Sequence, residues 1–396
     1  MIRILELFAG IGACSKALEN LDIEHEIVDA VEIDKYAIQA FNAIHGTKFE
    51  PQDICKWDKD IECDLIMHGS PCQDFSIAGK QAGGDKDSGT RSSLMYETLR
   101  IVEKLRPKYV IWENVKNLLS QKHVHNWNAY AERMEELGYK NYCRVLNAKN
   151  YGVPQNRERV FTVSILGDGD FKFFEPIPLK KRLKDVLEED VDEKYYLSDE
   201  QVAKLADSKY DQNKRFYNTN GLSPTISTMG GGQRQPKIIE SFIVASRGRN
   251  PENPSDRTVG VPTEQRLEPK FDGTTNTITT VQKDNYVAIK TANTKGYDMA
   301  ADGDGIDLGY PNSKTRRGRV GHGVSKTLPT SDSQGVLDGF RIRKLTPREC
   351  YRLMGFDDVS FDRASAVLSN TQLYKTAGNS IVVNVLEAVL KELLCN

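Results

Sequence analysis

The residues best suited to chemistry are Gly69-Ser70-Pro71-Cys72-Gln73-Asp74-Phe75-Ser76, directly after the apolar run 65–68. A cysteine that follows proline at a strand end presents its sulfur to the sheet crevice, where a thiolate can act as nucleophile. The seven cysteines stand at 14, 55, 63, 72, 143, 350 and 395, with no C-x-x-C pair. A zinc ribbon is therefore disfavoured, and any working cysteine works alone. Gly79, Gly83, Gly84 and Gly89 follow in a loop suited to closing over a substrate. A buried structural cysteine beside a surface loop is the plain alternative. Pro-Cys-Gln next to the glycine-rich loop argues against it. Two further groups could serve a thiolate. Trp112-Glu113-Asn114-Val115 ends another apolar run and offers a carboxyl at the crevice. Gln155-Asn156-Arg157-Glu158-Arg159 precedes a third run, with two guanidinium groups spaced to share one strand face.

A second set suits a nucleoside-type cofactor. Phe8-Ala9-Gly10-Ile11-Gly12-Ala13 follows the first strand and opens a helix, and its glycines let backbone approach a ligand. Ser15 stands where a dinucleotide fingerprint wants Gly or Ala, so NAD is not favoured. Glu32, with Asp34 beside it, ends the second strand and suits ribose hydroxyls. Asp53 lies at the next step of the chain, on the adenine side.

The elements that must position these groups are read from periodicity. Strands are expected at 2–8, 26–31, 65–68, 109–112 and 159–165, and helices at 14–21, 35–44, 92–105 and 124–137. This alternation predicts an α/β domain with a parallel sheet. Residues 183–204 read as a polar, partly helical connector. Residues 210–338, rich in Gly, Thr, Asn and Pro, read as short strands with long loops. Helical character returns at 346–354 and 381–394. Gly378-Asn379 also reads as a helix start.

A frame G-x-[ST]-x-T-[IL]-x-T occurs three times, at 221–228, 273–280 and 323–330. The copies suit three stacked units of one domain better than three independent modules. The chain carries 54 Lys and Arg against 56 Asp and Glu. Residues 214–350 hold 21 of these cations and 14 of the acids, a surplus of +7 that leaves -9 for the rest. The inserted region thus has the charge expected of a domain that touches a polyanion. Hydrophobic content of 39% and a mean hydropathy of -0.52 exclude disordered and membrane-spanning classes. No cleavable leader is read at the start, and a cytoplasmic location is expected.

In order and type, these motifs resemble those of the DNA (cytosine-5) methyltransferases of bacterial and phage restriction-modification type. Residues 8–12 are similar to the family's S-adenosylmethionine (AdoMet) loop, 69–76 to its nucleophile segment, and 91–94 to the segment that follows. Residues 112–115 and 155–159 are similar to its acid and arginine motifs, 343–356 to a supporting helix, and 374–384 to the closing cofactor segment. The likeness covers about 1–166 and 340–394. It implies a Rossmann-like catalytic domain of 1–166 plus 370–396, a smaller target-recognition domain at 167–340, and a hinge with its supporting helix at 341–369. It implies Cys72 adding to C6 of a flipped-out cytosine, Glu113 at N3 and the exocyclic amine, and Arg157 and Arg159 holding them in place. Phe8, Gly10, Gly12, Glu32, Asp53, Ile54, Asn379 and Ser380 would bind AdoMet, with no metal. Gln73, Ser76, Arg247, Arg249, Arg316, Arg317 and Arg319 would contact double-stranded DNA. A monomer is expected, with a cognate restriction endonuclease as a functional partner. An RNA cytosine-5 methyltransferase on the same scaffold and a catalytically decayed DNA-binding module are the rivals. Ser70 and the long basic insert weigh against the first, and intact Cys72, Glu113 and Arg157 against the second.

Overall fold

The computed structural model describes residues 1–71, 91–197, 201, 216–218, 221–228, 235–239, 243–249, 264–268, 285–290, 297–300, 305–307, 320–321, 334–336 and 342–395. Cys72, Gln73, Ser76, Arg316, Arg317 and Arg319, the loop 79–89 and the second and third repeat copies lie outside these residues. The chain divides into two compact units. The first comprises Met1–Lys181, Pro224–Gly232 and Pro347–Asn396, and the second Arg182–Ser223 and Gln233–Thr346.

The first unit is built on a six-stranded sheet in the order β2-β1-β3-β4-β6-β5. The strands are β1 Ile2–Leu7, β2 His25–Val31, β3 Leu65–His68, β4 Tyr109–Val115, β5 Tyr139–Asn147 and β6 Glu158–Leu166. The first four run parallel. β6 runs antiparallel to β4, and β5 antiparallel to β6, so the all-parallel expectation is corrected to a mixed sheet. Apolar runs record burial and not direction. Only ten residues, 148–157, join β5 to β6, too few for the crossover a parallel pair needs. β5 itself escaped the sequence reading because Lys140, Asn141 and Arg144 interrupt its pattern, as suits a half-exposed edge strand.

Helices α1 Ala13–Asn20, α2 Lys35–His45, α3 Met95–Leu105 and α4 Val124–Glu136 follow the strands close to the expected bounds. Leu5, Leu7, Ile66, Val110 and Trp112 form one core with Met95, Ile101 and Val102 of α3 and Tyr130 of α4. Four more helices close the unit: Pro347–Leu353, Asp358–Ser365, Asn370–Asn379 and Val383–Leu394, the last packed on α1. Gly378-Asn379 ends a helix where a start was expected. The Ser380 N–H donates to the carbonyls of Thr376 and Ala377, and the next helix waits until Val383.

The turn from β1 into α1 passes through left-handed backbone. Phe8, Gly10 and Gly12 all have positive φ, at 53°, 56° and 78°. At Gly12 a Cβ would run into the His45 ring, whereas at Gly10 it would meet nothing within 4 Å. Glu6, 3% exposed on β1, accepts hydrogen bonds from the backbone N–H and the hydroxyl of Ser15, which fixes the start of α1. Burial pushes its carboxyl up from 4.5 to about 7, against those hydrogen bonds.

The second unit has an antiparallel four-stranded sheet, Glu264–Glu268, Ile243–Arg249, Asn285–Lys290 and Tyr297–Ala300 in that order. Arg247 and Arg249 stand on its second strand, opposite Arg266 and Glu264. Two smaller three-stranded sheets accompany it. The connector expected at 183–204 contains two short 3-10 turns, Leu183–Val186 and Glu193–Tyr195. Among the described residues no helix is long and apolar enough to cross a membrane.

Two outcomes test this account. Gly12→Ala should cost about 3 kcal/mol in urea unfolding, from left-handed backbone plus overpacking, and Gly10→Ala only about 1 kcal/mol. Equal costs would refute the role given to His45. Glu6 lowers stability as pH rises from 4.5 to about 7, because the folded chain then holds a proton that the unfolded chain has released. Glu6→Gln should therefore gain on the wild type by about 3 kcal/mol between pH 4 and pH 8. A pH-independent difference would contradict it.

Candidate active site

In a strand order of 2-1-3-4, chain direction across the sheet reverses between β1 and β3. A crevice opens there beyond their C-terminal ends. The residues found at it are Glu6, Leu7, Phe8, Ala9 and Gly10 from β1 and its turn, Ala13 and Cys14 from the start of α1, Met67 of β3 and Gly69 just beyond it, Glu113 of β4, and Asn379, Ser380 and Ile381 where one helix ends before the last begins. The cleft thus joins Phe8, Gly10, Asn379 and Ser380 to the acid Glu113. Sequence reasoning placed Gly69 and Ile381 within motifs without giving them a role, and it missed Glu6 and Met67. Glu6 reads as an ordinary polar residue in an alternating strand, and its only signal is an acid two residues before the turn.

Gly12 shapes the turn without lining the cleft. Glu32, Asp53 and Ile54 lie to one side, joined by backbone. One Glu32 carboxylate oxygen accepts from Gly10 N–H at 3.2 Å and the other from Asp34 N–H at 2.8 Å. Its main-chain oxygen accepts from Gln52 N–H at 2.8 Å, which brings the Asp53-Ile54 segment alongside. Asp53 accepts from Cys55 N–H, and Ile54 is buried. Asp34 has structural partners instead: it caps α2 through Tyr36 N–H and pairs with Lys375 at 2.6 Å.

Glu113 is 9% exposed, on β4, and burial raises its carboxyl above the usual range although Arg159 and Arg157 pull it down. Arg159 Nε lies 3.1 Å from a Glu113 oxygen. Both arginines and Glu113 line a small chamber with Leu146, Phe161, Ile381 and Val385. The antiparallel course of β6 makes this possible. It brings the start of β6, with Val115 opposite Arg159, to the edge where β4 ends. The two arginines do different work. The Arg157 guanidinium donates to the carbonyl of Ile226 at 2.7 Å and to that of Ser380 at 2.9 Å. Gln155, two residues before Arg157, accepts from Ile226 N–H at 3.1 Å and donates to the Leu353 carbonyl at 2.7 Å. Thr225 and Ile226 belong to the first repeat copy, so that copy is partly built into the first unit. Ser227 packs against Gly378 so closely that a Cβ there would strike its carbonyl.

The nucleophile segment is described as far as Pro71. Gly69 passes Glu113 closely, since a Cβ on it would lie 3.7 Å from a Glu113 oxygen. Among the described residues no group of three or more His, Cys, Asp or Glu could hold a metal ion. The arrangement offers a buried carboxyl able to hold or give a proton, a guanidinium to orient it, and a backbone-lined cleft beside both.

Comparison with known proteins agrees with this geometry. The model of the family described as C-5 cytosine-specific DNA methylase matches residues 2–395. Orphan methyltransferase M.SPRI of Bacillus phage SPR is 33% identical over 455 residues, covering 99% of this chain and 97% of the relative. Orphan methyltransferase M.SPBetaI of Bacillus phage SPbeta is 32% identical over 483 residues, with the same coverage. Type II methyltransferase M.HhaI of Haemophilus parahaemolyticus is 29% identical over 392 residues, 98% of this chain and 93% of the relative. Among solved structures, the S. pombe Dnmt2 methyltransferase aligns over 100% of this chain and 98% of its own, with a TM-score of 0.60 at 18% identity, a likeness of fold. A family match over nearly the whole length, on a cleft built from the very motifs that carried the resemblance, leads to one conclusion: the chain belongs to the family of C-5 cytosine-specific DNA methylases.

Proposed function

We propose that the protein methylates carbon 5 of cytosine in duplex DNA, with AdoMet as donor and Cys72 as nucleophile. The observation that carries this reading is the buried Glu113–Arg159 pair in the chamber beside the cleft, next to the strand that leads into Cys72.

The cleft residues fit such a cofactor. Glu6 is a buried carboxylate at the cleft, and among the described residues no cation pairs with it, which favours a cationic ligand. Glu32 offers remaining lone pairs to ribose hydroxyls, and Asp53 with Ile54 would hold the adenine. Phe8, Gly10, Asn379 and Ser380 would enclose the methionine side, on a turn that Gly12 makes possible. When bound, AdoMet supplies an electrophilic methyl group.

The chain's own residues would then prepare the base. Carbon 5 of cytosine is a poor nucleophile. Addition of the Cys72 thiolate at C6 makes it enamine-like. Glu113, whose raised carboxyl can carry a proton, would stabilise that adduct at N3 and the exocyclic amine. Arg159 orients Glu113, and Arg157 fixes the walls around it. C5 and C6 lie within the base stack, so the target cytosine must be flipped out, and Gln73 and Ser76 would contact the strand it leaves. The second unit would read the sequence, with Arg247, Arg249, Arg316, Arg317 and Arg319 as DNA contacts.

The test is incubation with AdoMet and unmethylated duplex DNA, followed by sequencing for 5-methylcytosine. Wild type should give product at defined sites, and Cys72→Ser none. Equal product from both would overturn the mechanism, and methylation of tRNA in preference to duplex would favour the RNA reading. Glu113→Gln should lower the single-turnover rate by about 10²–10⁴-fold. The wild-type rate should fall on the alkaline side as Glu113 loses its proton, and the variant should lack that limb.

A further inference from the structure

Ser70 is the last residue but one before Cys72, and it is 3% exposed. Its hydroxyl oxygen accepts the Trp112 indole N–H at 2.9 Å. Its main-chain oxygen accepts the Asn114 amide at 3.2 Å, and the same amide lies 3.4 Å from the hydroxyl. The orientation of Asn114 is not free, because its oxygen accepts the Val115 N–H at 2.8 Å, leaving the NH₂ to face Ser70. Nor is that of Trp112. Its ring stacks on His68 at 5.7 Å and 10°, lies 4.3 Å from Tyr130, and is 1% exposed. Two rigid donors therefore grip one residue from both of its oxygens.

The donors are the neighbours of Glu113 on either side. Alternation along β4 puts Trp112 and Asn114 on one face and Glu113 on the other. The strand that carries the acid thus also holds the start of the nucleophile segment, by residues adjacent to that acid. A difference of about 1 Å in such a placement can change a rate by about 100-fold without touching the reacting atoms.

We propose that Ser70 is a positioning residue: its grip by Trp112 and Asn114 sets the distance between the Cys72 segment and Glu113. This rests on the reading of Cys72 and Glu113 given above. Neither Ser70 nor Trp112 touches substrate in this proposal; both act through the loop that Ser70 begins.

The experiment compares wild type, Ser70→Ala, Trp112→Phe and the double variant. The rate of covalent adduct formation is measured on duplex DNA carrying 5-fluorocytosine at the target, with AdoMet present. Affinities for sinefungin and for unmodified duplex are measured separately. Each single variant should slow adduct formation by about 10–100-fold, with both affinities within about twofold of wild type. The double variant should be no slower than the worse single, because one hydrogen bond is lost in all three. Unchanged adduct rates, losses that multiply, or losses confined to binding would each overturn the proposal. Trp112→Phe keeps an aromatic ring in the stack, so it still reports if Ser70→Ala folds poorly. A wild type that forms no adduct on any duplex would instead refute the underlying reading of Cys72.

Discussion

A carboxylate removed from water has to be compensated where it stands, and Glu113 is compensated by Arg159. The mixed sheet is what makes that pair possible. In a parallel strand the residues at the N-terminal end lie at the edge opposite the crevice. Because β6 is reversed, its opening residues arrive beside the C-terminal half of β4, and the guanidinium groups that precede and begin it reach the acid. The short link between β5 and β6 is what permits the reversal. Arg157 then extends the arrangement outwards by holding two carbonyls, one beside the cleft and one in the segment 224–228. A buried ion pair of this kind contributes little net stability. Its value here lies in the geometry it imposes.

Much of this was legible in the sequence, for identifiable reasons. Val- and Ile-rich runs ending in glycine or in a polar motif marked β1, β3 and β4, because a strand buried on both faces has few other compositions open to it. The glycines of the first turn were legible because glycine adopts positive φ at least cost, although Phe8 adopts it too. Direction was not legible in β6, and β5 was hidden by its polar edge. Nor could the sequence separate Arg157 from Arg159, since both are arginines at a strand start and differ only in what lies opposite. Glu6 was passed over, and Ser70 was read only as a motif residue that weighs against the RNA rival, because nothing in their type announces burial; their partners are distant in sequence. The repeat frame was visible, but not that its first copy is gripped by Gln155 and Arg157.

The near-neutral charge of the whole chain gains meaning from the division into units. The basic surplus of 214–350 falls almost wholly on stretches outside the sheet that bears Glu113. The acidic remainder is shared between the units: residues 182–213 of the second unit carry more than half of it, and the first unit the rest. The alignments with the two phage relatives, at 455 and 483 positions against 396 residues, require insertions in those relatives that this chain lacks.

The first unit is assembled from three separated stretches of chain, and this bears on how it is made. Synthesis delivers Phe8, Gly10, Glu113 and Arg159 early, as a sheet with an unfinished cleft. Ile226, which Arg157 holds, emerges later, and Asn379, Ser380 and Ile381 emerge only after the whole second unit has left the ribosome. Until then Arg157 lacks the Ser380 carbonyl it holds in the finished fold, and α1 lacks the helix that covers it. The cleft is therefore completed only once the second unit has been made.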